Sequence, residues 1–309
     1  MSKLSIIMYH YVREIEKSRY PRIKGLEFEG FKKQLDYLTS KFTVISQDEI
    51  IYSINCNKKL PENACWLTFD DGYKDHFEYV FPELKQRGLK GSFFPSRDAV
   101  LNKKLLDVNA IHLILANCTN FKLLADKIDS YCIAEGMTST KLSQMKNLFC
   151  VPNQFDEGLV IYIKRVLQHA LPKAMRQQLI ELLFLEYVGM SRVEFSEDFY
   201  MSVDDLKEMN LAGMEIGNHG SSHTWMDKIP ANEQEKDIVK SLDFLEEVSG
   251  SLIDNWTMCY PFGAFNKDTL EIVGRYGGKI GITTQSAQAD LLRDNILALP
   301  RLDTNAFPQ

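Results

Sequence analysis

Short apolar runs alternate along the chain with longer stretches whose apolar residues recur at helical spacing. Leu4 to Tyr11 reads as a first strand, and Phe31, Leu35 and Leu38 then mark one face of a helix. Thr43-Val44-Ile45 is a short strand. Ser46 and Glu49 after it have capping-box spacing and open a helix through Ile50 and Ile51. Cys65 to Phe69 is a strand, Lys74 to Arg87 a helix stopped by Gly88, and Ser92-Phe93-Phe94 the next strand. Strands that alternate with helices predict parallel βα units.

The rhythm breaks between about Lys103 and Phe199. Here the periodicity is helical, with Ile111, Leu115, Leu123, Leu124 and Ile128 as typical apolar positions and Ala174 to Val188 as one helix. This stretch reads as a helical insertion between two barrel strands, packed on the main domain. It serves either as a substrate cover or as a scaffold extension or dimer surface. The alternation then resumes. A helix from Ser202 to about Gly213 precedes a strand at Met214 to Gly217. Glu233 to Val248 is a helix with Ile238, Leu242 and Leu245 on one face. Trp256 to Tyr260 is a strand, Asp268 to Tyr276 a helix, and Lys279 to Thr283 and Ile296 to Leu299 the last strands.

Composition narrows the class without naming a function. The 309 residues are 45% hydrophobic and 25% charged, as in ordinary globular proteins. A net charge of -6 argues against a general nucleic-acid binder, which would be basic. No apolar run approaches the roughly 18 residues that span a membrane. The N-terminus has no small-residue cleavage site and reads as a strand rather than a signal peptide, which points to the cytoplasm, free or at the membrane surface. The six cysteines have no paired metal-type spacing and are read as free thiols, with Cys65 and Cys259 in the core.

Candidate chemistry lies at the ends of two predicted strands. Asp70 and Asp71 follow the apolar Trp66, Leu67 and Phe69 and precede Gly72. Two adjacent carboxylates at the mouth of a buried strand are costly unless a metal, hydrogen bonds or a shared proton offsets them. His219 and His223, four residues apart, follow the strand at Met214 to Gly217. Imidazole nitrogens and a carboxylate oxygen suit zinc, and three protein ligands leave open positions for water and substrate. Active sites of barrels lie at the carboxyl ends of their strands.

These segments resemble the motifs of one family. Thr68-Phe69-Asp70-Asp71-Gly72 resembles the first motif of the polysaccharide deacetylases (the NodB-homology domain, carbohydrate esterase family 4). His219-Gly220-Ser221-Ser222-His223 resembles their His-Ser/Thr-x-x-His motif, and Tyr260-Pro261-Phe262-Gly263 their aromatic-Pro-aromatic-Gly turn. Met8-Tyr9-His10-Tyr11-Val12 is similar to the Tyr-His-x-Val opening of one branch, and Arg301-Leu302-Asp303 to that branch's closing strand. The resemblance covers about residues 4–99 and 200–304.

It implies a distorted, incomplete TIM-like (β/α)7 barrel: one domain over residues 1–309, interrupted by a mostly helical insertion at about 103–199. It further implies a metal-dependent hydrolase that removes an N-acyl group, acetyl first, from an amino sugar or glycan. Asp70 is then the general base, and Asp71, His219 and His223 bind a divalent metal, zinc before cobalt or nickel. Phe262 supplies an oxyanion N–H, with Tyr260 and Tyr73 as substrate-side candidates. The sequence departs from the family in two places. No histidine follows Leu297-Ala298-Leu299, where many members carry their acid, and Cys259 sits near the usual arginine of the third motif. His10 is the substitute acid or a substrate contact, and Arg301 the substitute partner of Asp70, with Asp303 a weaker candidate. His76 falls within a helix and reads as solvated or capping, and Trp225 reads as a sugar-stacking or barrel-closing residue. The amino sugar is free, carried on a lipid or nucleotide, or part of a glycan. Rival readings are a deformylase, a small-amide hydrolase, an O-deacylase, and a silent domain that binds glycan or a partner protein.

Overall fold

The computed structural model describes residues 3–153, 156–251 and 254–309. The chain divides into two compact units. The first comprises residues 1–14, 25–104 and 198–309, and the second residues 15–24 and 105–197. The segment 15–24 therefore goes with the helical insertion, an assignment that its mixed polar sequence does not signal.

The first unit is built on seven strands. These are β1 (Lys3–Tyr9), β2 (Ala64–Asp71), β3 (Ser92–Pro95), β4 (Glu215–Ile216), β5 (Trp256–Cys259), β6 (Gly278–Ser286) and β7 (Leu299–Asp303). They hydrogen-bond in the spatial order β4-β3-β2-β1-β7-β6-β5, each pair parallel. The two ends of this order meet at one point. Asn218, just past β4, forms a parallel bridge to Met258 of β5, with Asn218 N–H donating to Thr257 O at 2.9 Å and Cys259 N–H donating to Asn218 O at 2.8 Å. The sheet thus curls through seven strands and closes through a single bridge, a sparse (β/α)7 barrel. Short strands at Thr43–Val44 and Ala289–Asp290 extend β2 and β1.

Residue alternation along the strands sorts core from site. On β2, Cys65, Leu67 and Phe69 face the helices and pack with Phe31, Leu35 and Leu38 of the helix Phe28–Lys41. Ala64 and Trp66 face the barrel interior with Leu4 and Ile6 of β1, Phe94 of β3, Ile280 and Ile282 of β6 and Leu299 of β7. Continuing that inner face outward along each strand leads to Thr68 and Asp70 on β2, Arg301 on β7 and His10 just after β1. The same alternation that buries the apolar layer lifts the polar residues into the barrel mouth.

Some helices open where the sequence supplies a capping box. Ser46 and Glu49 exchange both capping-box hydrogen bonds at the start of Gln47–Asn55. Val203–Leu211 opens with Ser202 and Asp205, and Lys267–Arg275 with Asn266 and Thr269. The predicted helix over Lys74 to Arg87 forms, but its middle is a π-helical turn, His76–Val80, running into an α-helix, Phe81–Gln86, with Gly88 beyond it at φ 66°. The predicted last strand Ile296 to Leu299 is also corrected. Asn295 caps a 3-10 turn at Ile296–Ala298, and the strand begins only at Leu299.

The second unit is helical, as its periodicity predicts. Its helices are Asp107–Asn117, Phe121–Ala134, Ser139–Phe149, Gly158–Arg165, Lys173–Val188 and Arg192–Ser196, with a π-helical turn at Val166–Ala170. Ile111, Ile114, Ile128, Ile163, Ile180 and Phe184 are among its fully buried residues. No helix among the described residues is long and apolar enough to cross a membrane.

Candidate active site

Both carboxylates of the Asp-Asp pair reach the mouth of the barrel, which a regular strand would forbid. Alternation would send Asp70 and Asp71 to opposite faces. Asp71 escapes by adopting a left-handed φ of 73°, followed by Gly72 at 75°. Glycine is required at 72 on two counts, because a Cβ there would lie 2.7 Å from Pro95 Cβ and 2.9 Å from Pro95 Cα. His223 and Phe262 also sit in the left-handed region, at 50° and 59°. Backbone strain of this kind gathers at functional sites, held by the structure around it.

Asp71, His219 and His223 converge. His219 Nε2 and His223 Nε2 each lie 3.2 Å from Asp71 Oδ1. The other ring nitrogen of His219, Nδ1, is 2.7 Å from the carbonyl of Cys259. A carbonyl only accepts, so Nδ1 carries a proton; Nε2 then either donates a second proton to Asp71 Oδ1 or, once that proton is lost, presents a lone pair to a cation. Electron-pair donors that face one another in a buried site repel unless a cation or a proton lies among them. One carboxylate oxygen and two imidazole nitrogens are the donor set of catalytic zinc sites, so the residues fit a divalent metal. The second oxygen of Asp71, Oδ2, accepts the hydroxyl of Tyr73. Burial pushes the Asp71 carboxyl upward, but hydrogen bonds from His219 and His223 outweigh it and hold the group well below the usual carboxylate range.

Asp70 stands beside this cluster with different partners. Arg301 Nη1 donates to its Oδ1 at 2.8 Å and Nη2 to its Oδ2 at 2.7 Å. Arg301 is itself fixed by Nε to Thr283 O at 2.7 Å and Nη1 to Thr68 Oγ1 at 3.2 Å. Both residues are almost completely buried, so this is no surface salt bridge. Burial would raise the Asp70 carboxyl, but the charge and hydrogen bonds of Arg301 hold it down at about 2. His10, with 41% of its side chain exposed, places Nε2 3.8 Å from Asp70 Oδ2.

The remaining sequence candidates separate into site and scaffold. Phe262 borders the cluster, its ring 4.7 Å from that of His223 and stacked on Trp225 at 4.6 Å and 11°. Tyr260 is a core residue. Its side chain is fully buried, its hydroxyl donates to Leu297 O at 2.8 Å and its ring packs on Phe265, so it offers no hydroxyl to a substrate. Tyr73 is also fully buried, stacked on Tyr11 at 4.2 Å, and meets the site through its bond to Asp71. Asp303 caps a turn, accepting from Asn305 N–H at 2.8 Å.

His76 reverses its sequence reading. It is fully buried, not solvated, with Phe69, Tyr73 and Phe93 around it. Its Nε2 is 2.7 Å from the carbonyl of His10, so Nε2–H is the donor. Burial lowers its pKa to about 4 despite that bond, which keeps the ring neutral. The backbone of His10 is thus pinned by a histidine that sequence periodicity places in solvent. The Phe69-Tyr73-His76 spacing around the turn is the only sequence hint of that cage.

Residues 57–111 and 186–281 match the sequence profile of the family described as "Polysaccharide deacetylase". Over 93 residues the chain is 32% identical to a Bacillus subtilis (strain 168) protein, "Putative polysaccharide deacetylase YxkH"; the match spans 30% of this chain and 32% of that protein, about a third of each. Among solved structures, the Streptococcus pyogenes deacetylase PplD in complex with acetate superposes with a TM-score of 0.60 at 17% identity, covering 97% of this chain and 92% of its own. IcaB from Ammonifex degensii gives 0.58 at 17% identity, with 98% and 92% covered. At that identity the likeness establishes a shared fold.

Proposed function

Because the chain belongs to the polysaccharide deacetylase family, we propose that it hydrolyses the N-acyl group, acetyl first, of an amino sugar within a glycan or on a lipid or nucleotide carrier. The observation that carries this reading is the pairing of an ionised carboxylate, Asp70, held by Arg301, with an adjacent three-donor cluster at one barrel mouth. Asp71 Oδ1, His219 Nε2 and His223 Nε2 are the atoms that would hold a divalent metal, zinc before cobalt or nickel. When bound, such an ion polarises the acyl carbonyl and lowers the pKa of water.

The chain's own groups do the rest. Asp70 accepts the proton of the attacking water, and its low pKa keeps it ionised for that task at neutral pH. Arg301 is a positioning residue, since its bonds run to Asp70, Thr68 and Thr283. The departing amine needs a proton, and His10, beside Asp70 and open to solvent, is our general acid. The backbone N–H of Phe262 is our second donor to the oxyanion that develops on the substrate. Trp225 stacked on Phe262 offers a flat apolar face beside His223 on which a sugar ring can lie. The complete set of Asp70, Asp71, His219 and His223 favours catalysis over silent binding.

The deciding experiment measures acetate and formate released from a panel of free, lipid-linked, nucleotide-linked and polymeric N-acyl amino sugars. Asp70→Asn should retain metal and lose turnover by about 10²- to 10⁴-fold, whereas His219→Ala should lose the metal itself. Full activity in Asp70→Asn would remove it as the base.

A further inference from the structure

The two histidines stand at the ends of a tight turn, His219-Gly220-Ser221-Ser222-His223. Gly220 and His223 both take left-handed φ values, 71° and 50°. A side-chain-bearing residue keeps such a conformation only where its surroundings over-determine it. Those surroundings centre on Asp237, buried to 8% exposure on the helix Ala231–Ser249. Asp237 Oδ2 accepts Ser221 N–H at 2.7 Å. Its Oδ1 accepts Ser222 N–H at 3.0 Å and the Ser222 hydroxyl at 2.5 Å.

A Cβ at position 220 would stand 2.6 Å from Asp237 Oδ2. The carboxylate therefore fills the space that a side chain at 220 would need, and the Gly220 and Asp237 choices depend on each other. The opposite side of the turn is held by Asp98, whose N–H donates to Ser221 O at 2.9 Å and whose Oδ1 accepts the Ser221 hydroxyl at 3.1 Å. Only an ionised carboxylate accepts all three bonds that Asp237 receives. Asparagine has one acceptor oxygen, and its amide would face an N–H with another donor.

We propose that Asp237 is a positioning residue for the metal centre, fixing the turn so that His219 Nε2 and His223 Nε2 meet at Asp71 Oδ1. The inference rests on reading His219 and His223 as ligands. It goes beyond that reading by assigning the shape of the ligand turn to a buried anion on a neighbouring helix.

The test compares wild type, Asp237→Asn and Ser222→Ala. It uses zinc affinity by competition with a chromophoric chelator, the melting temperature of metal-free protein, and ¹H–¹⁵N spectra of the histidine rings. Asp237→Asn should bind zinc about 10- to 100-fold more weakly while still folding, with a lowered metal-free melting temperature, and Ser222→Ala, which removes one of the three bonds, should lose severalfold with that temperature nearly unchanged. Wild-type zinc affinity in both variants overturns the proposal. So does a misfolded Asp237→Asn accompanied by a Ser222→Ala that binds normally. If wild type itself binds no zinc, the ligand reading falls, and the ring spectra then decide the positioning role. Shifted His219 and His223 signals in the variants uphold it, and unchanged signals reject it.

Discussion

Arg301 grips Asp70 with both ends of its guanidinium, Nη1 on Oδ1 at 2.8 Å and Nη2 on Oδ2 at 2.7 Å, in a site where neither residue meets solvent. The fork matches the two carboxylate oxygens and fixes the carboxylate plane. The pair spans from β7 across β1 to β2, so it ties together two strands that are not hydrogen-bonded neighbours at the barrel mouth.

Arg301→Met should leave a buried carboxylate without its cation and destabilise the fold by about 3–5 kcal/mol. Arg301→Lys keeps the charge but not the fork, and should recover only part of that loss. Denaturant unfolding measures both. A methionine variant as stable as wild type would mean that Asp70 finds another partner or a proton.

His10→Ala tests the general acid. The expected result is a kcat reduced at least tenfold, about 1.4 kcal/mol of barrier, with little change in KM. A rate within about threefold of wild type, roughly 0.7 kcal/mol, would leave His10 no catalytic role.

His76 should make stability depend on pH. In the unfolded chain it takes a proton below about 6.5, whereas in the fold burial opposes the charged form until about 4, with the His10 carbonyl and the anionic Asp71 and Asp70 pulling weakly the other way. The unfolded state therefore binds more protons between those values. The contribution, about 3 kcal/mol, is fully present above pH 6.5 and lost as pH falls to about 4. Urea unfolding across that window should show the loss in wild type and a flatter curve in His76→Gln. Parallel curves would assign the acid sensitivity elsewhere.

Gly72→Ala and Gly88→Ala form a matched pair. Both positions have positive φ, 75° and 66°, but a Cβ at 88 meets nothing within 4 Å while one at 72 strikes Pro95 at 2.7 Å. Gly88→Ala should cost about 1 kcal/mol for the backbone alone. Gly72→Ala adds an overpacking cost of about 1–3 kcal/mol and should also displace Asp71. Equal melting temperatures for the two would show that Pro95 yields.

Much of the fold and the candidate cluster is visible in the sequence, because short-range rules govern the parts concerned. Apolar runs that end in Asp70-Asp71 and in Asn218-His219 locate two strand ends, and Ser46 and Glu49 announce a helix start. What is hidden depends on long-range packing or altered helical pitch. The turn His76–Val80 is π-helical, which shifts its side chains off the 3.6-residue wheel, and His76 at its start is buried by packing against Phe69, Tyr73 and Phe93. Arg301 is tied to Asp70 in the sequence only through the family resemblance; nothing local to its strand announces a buried two-pronged grip on a carboxylate 231 residues earlier. Asp237 lies among charged residues of an amphipathic helix, and only the turn packed on it sets it apart. The Ile296 to Leu299 run is apolar enough for a strand, but Asn295 curls it into a turn first.

Asp71 and His219 are 148 residues apart along the chain, and the whole of residues 105–197 lies between them. Closing a flexible loop costs entropy that grows only with the logarithm of its length, about 0.6 kcal/mol per doubling. Lengthening the shorter loop by that segment is less than two doublings, an upper limit of about 1 kcal/mol. A segment that buries its own apolar residues does not behave as slack chain at all, which lowers the figure further. Two halves of one chemical centre can therefore be separated by a large folded insertion at almost no thermodynamic penalty to the centre. The length and content of that insertion are free to diverge while the barrel mouth stays the same.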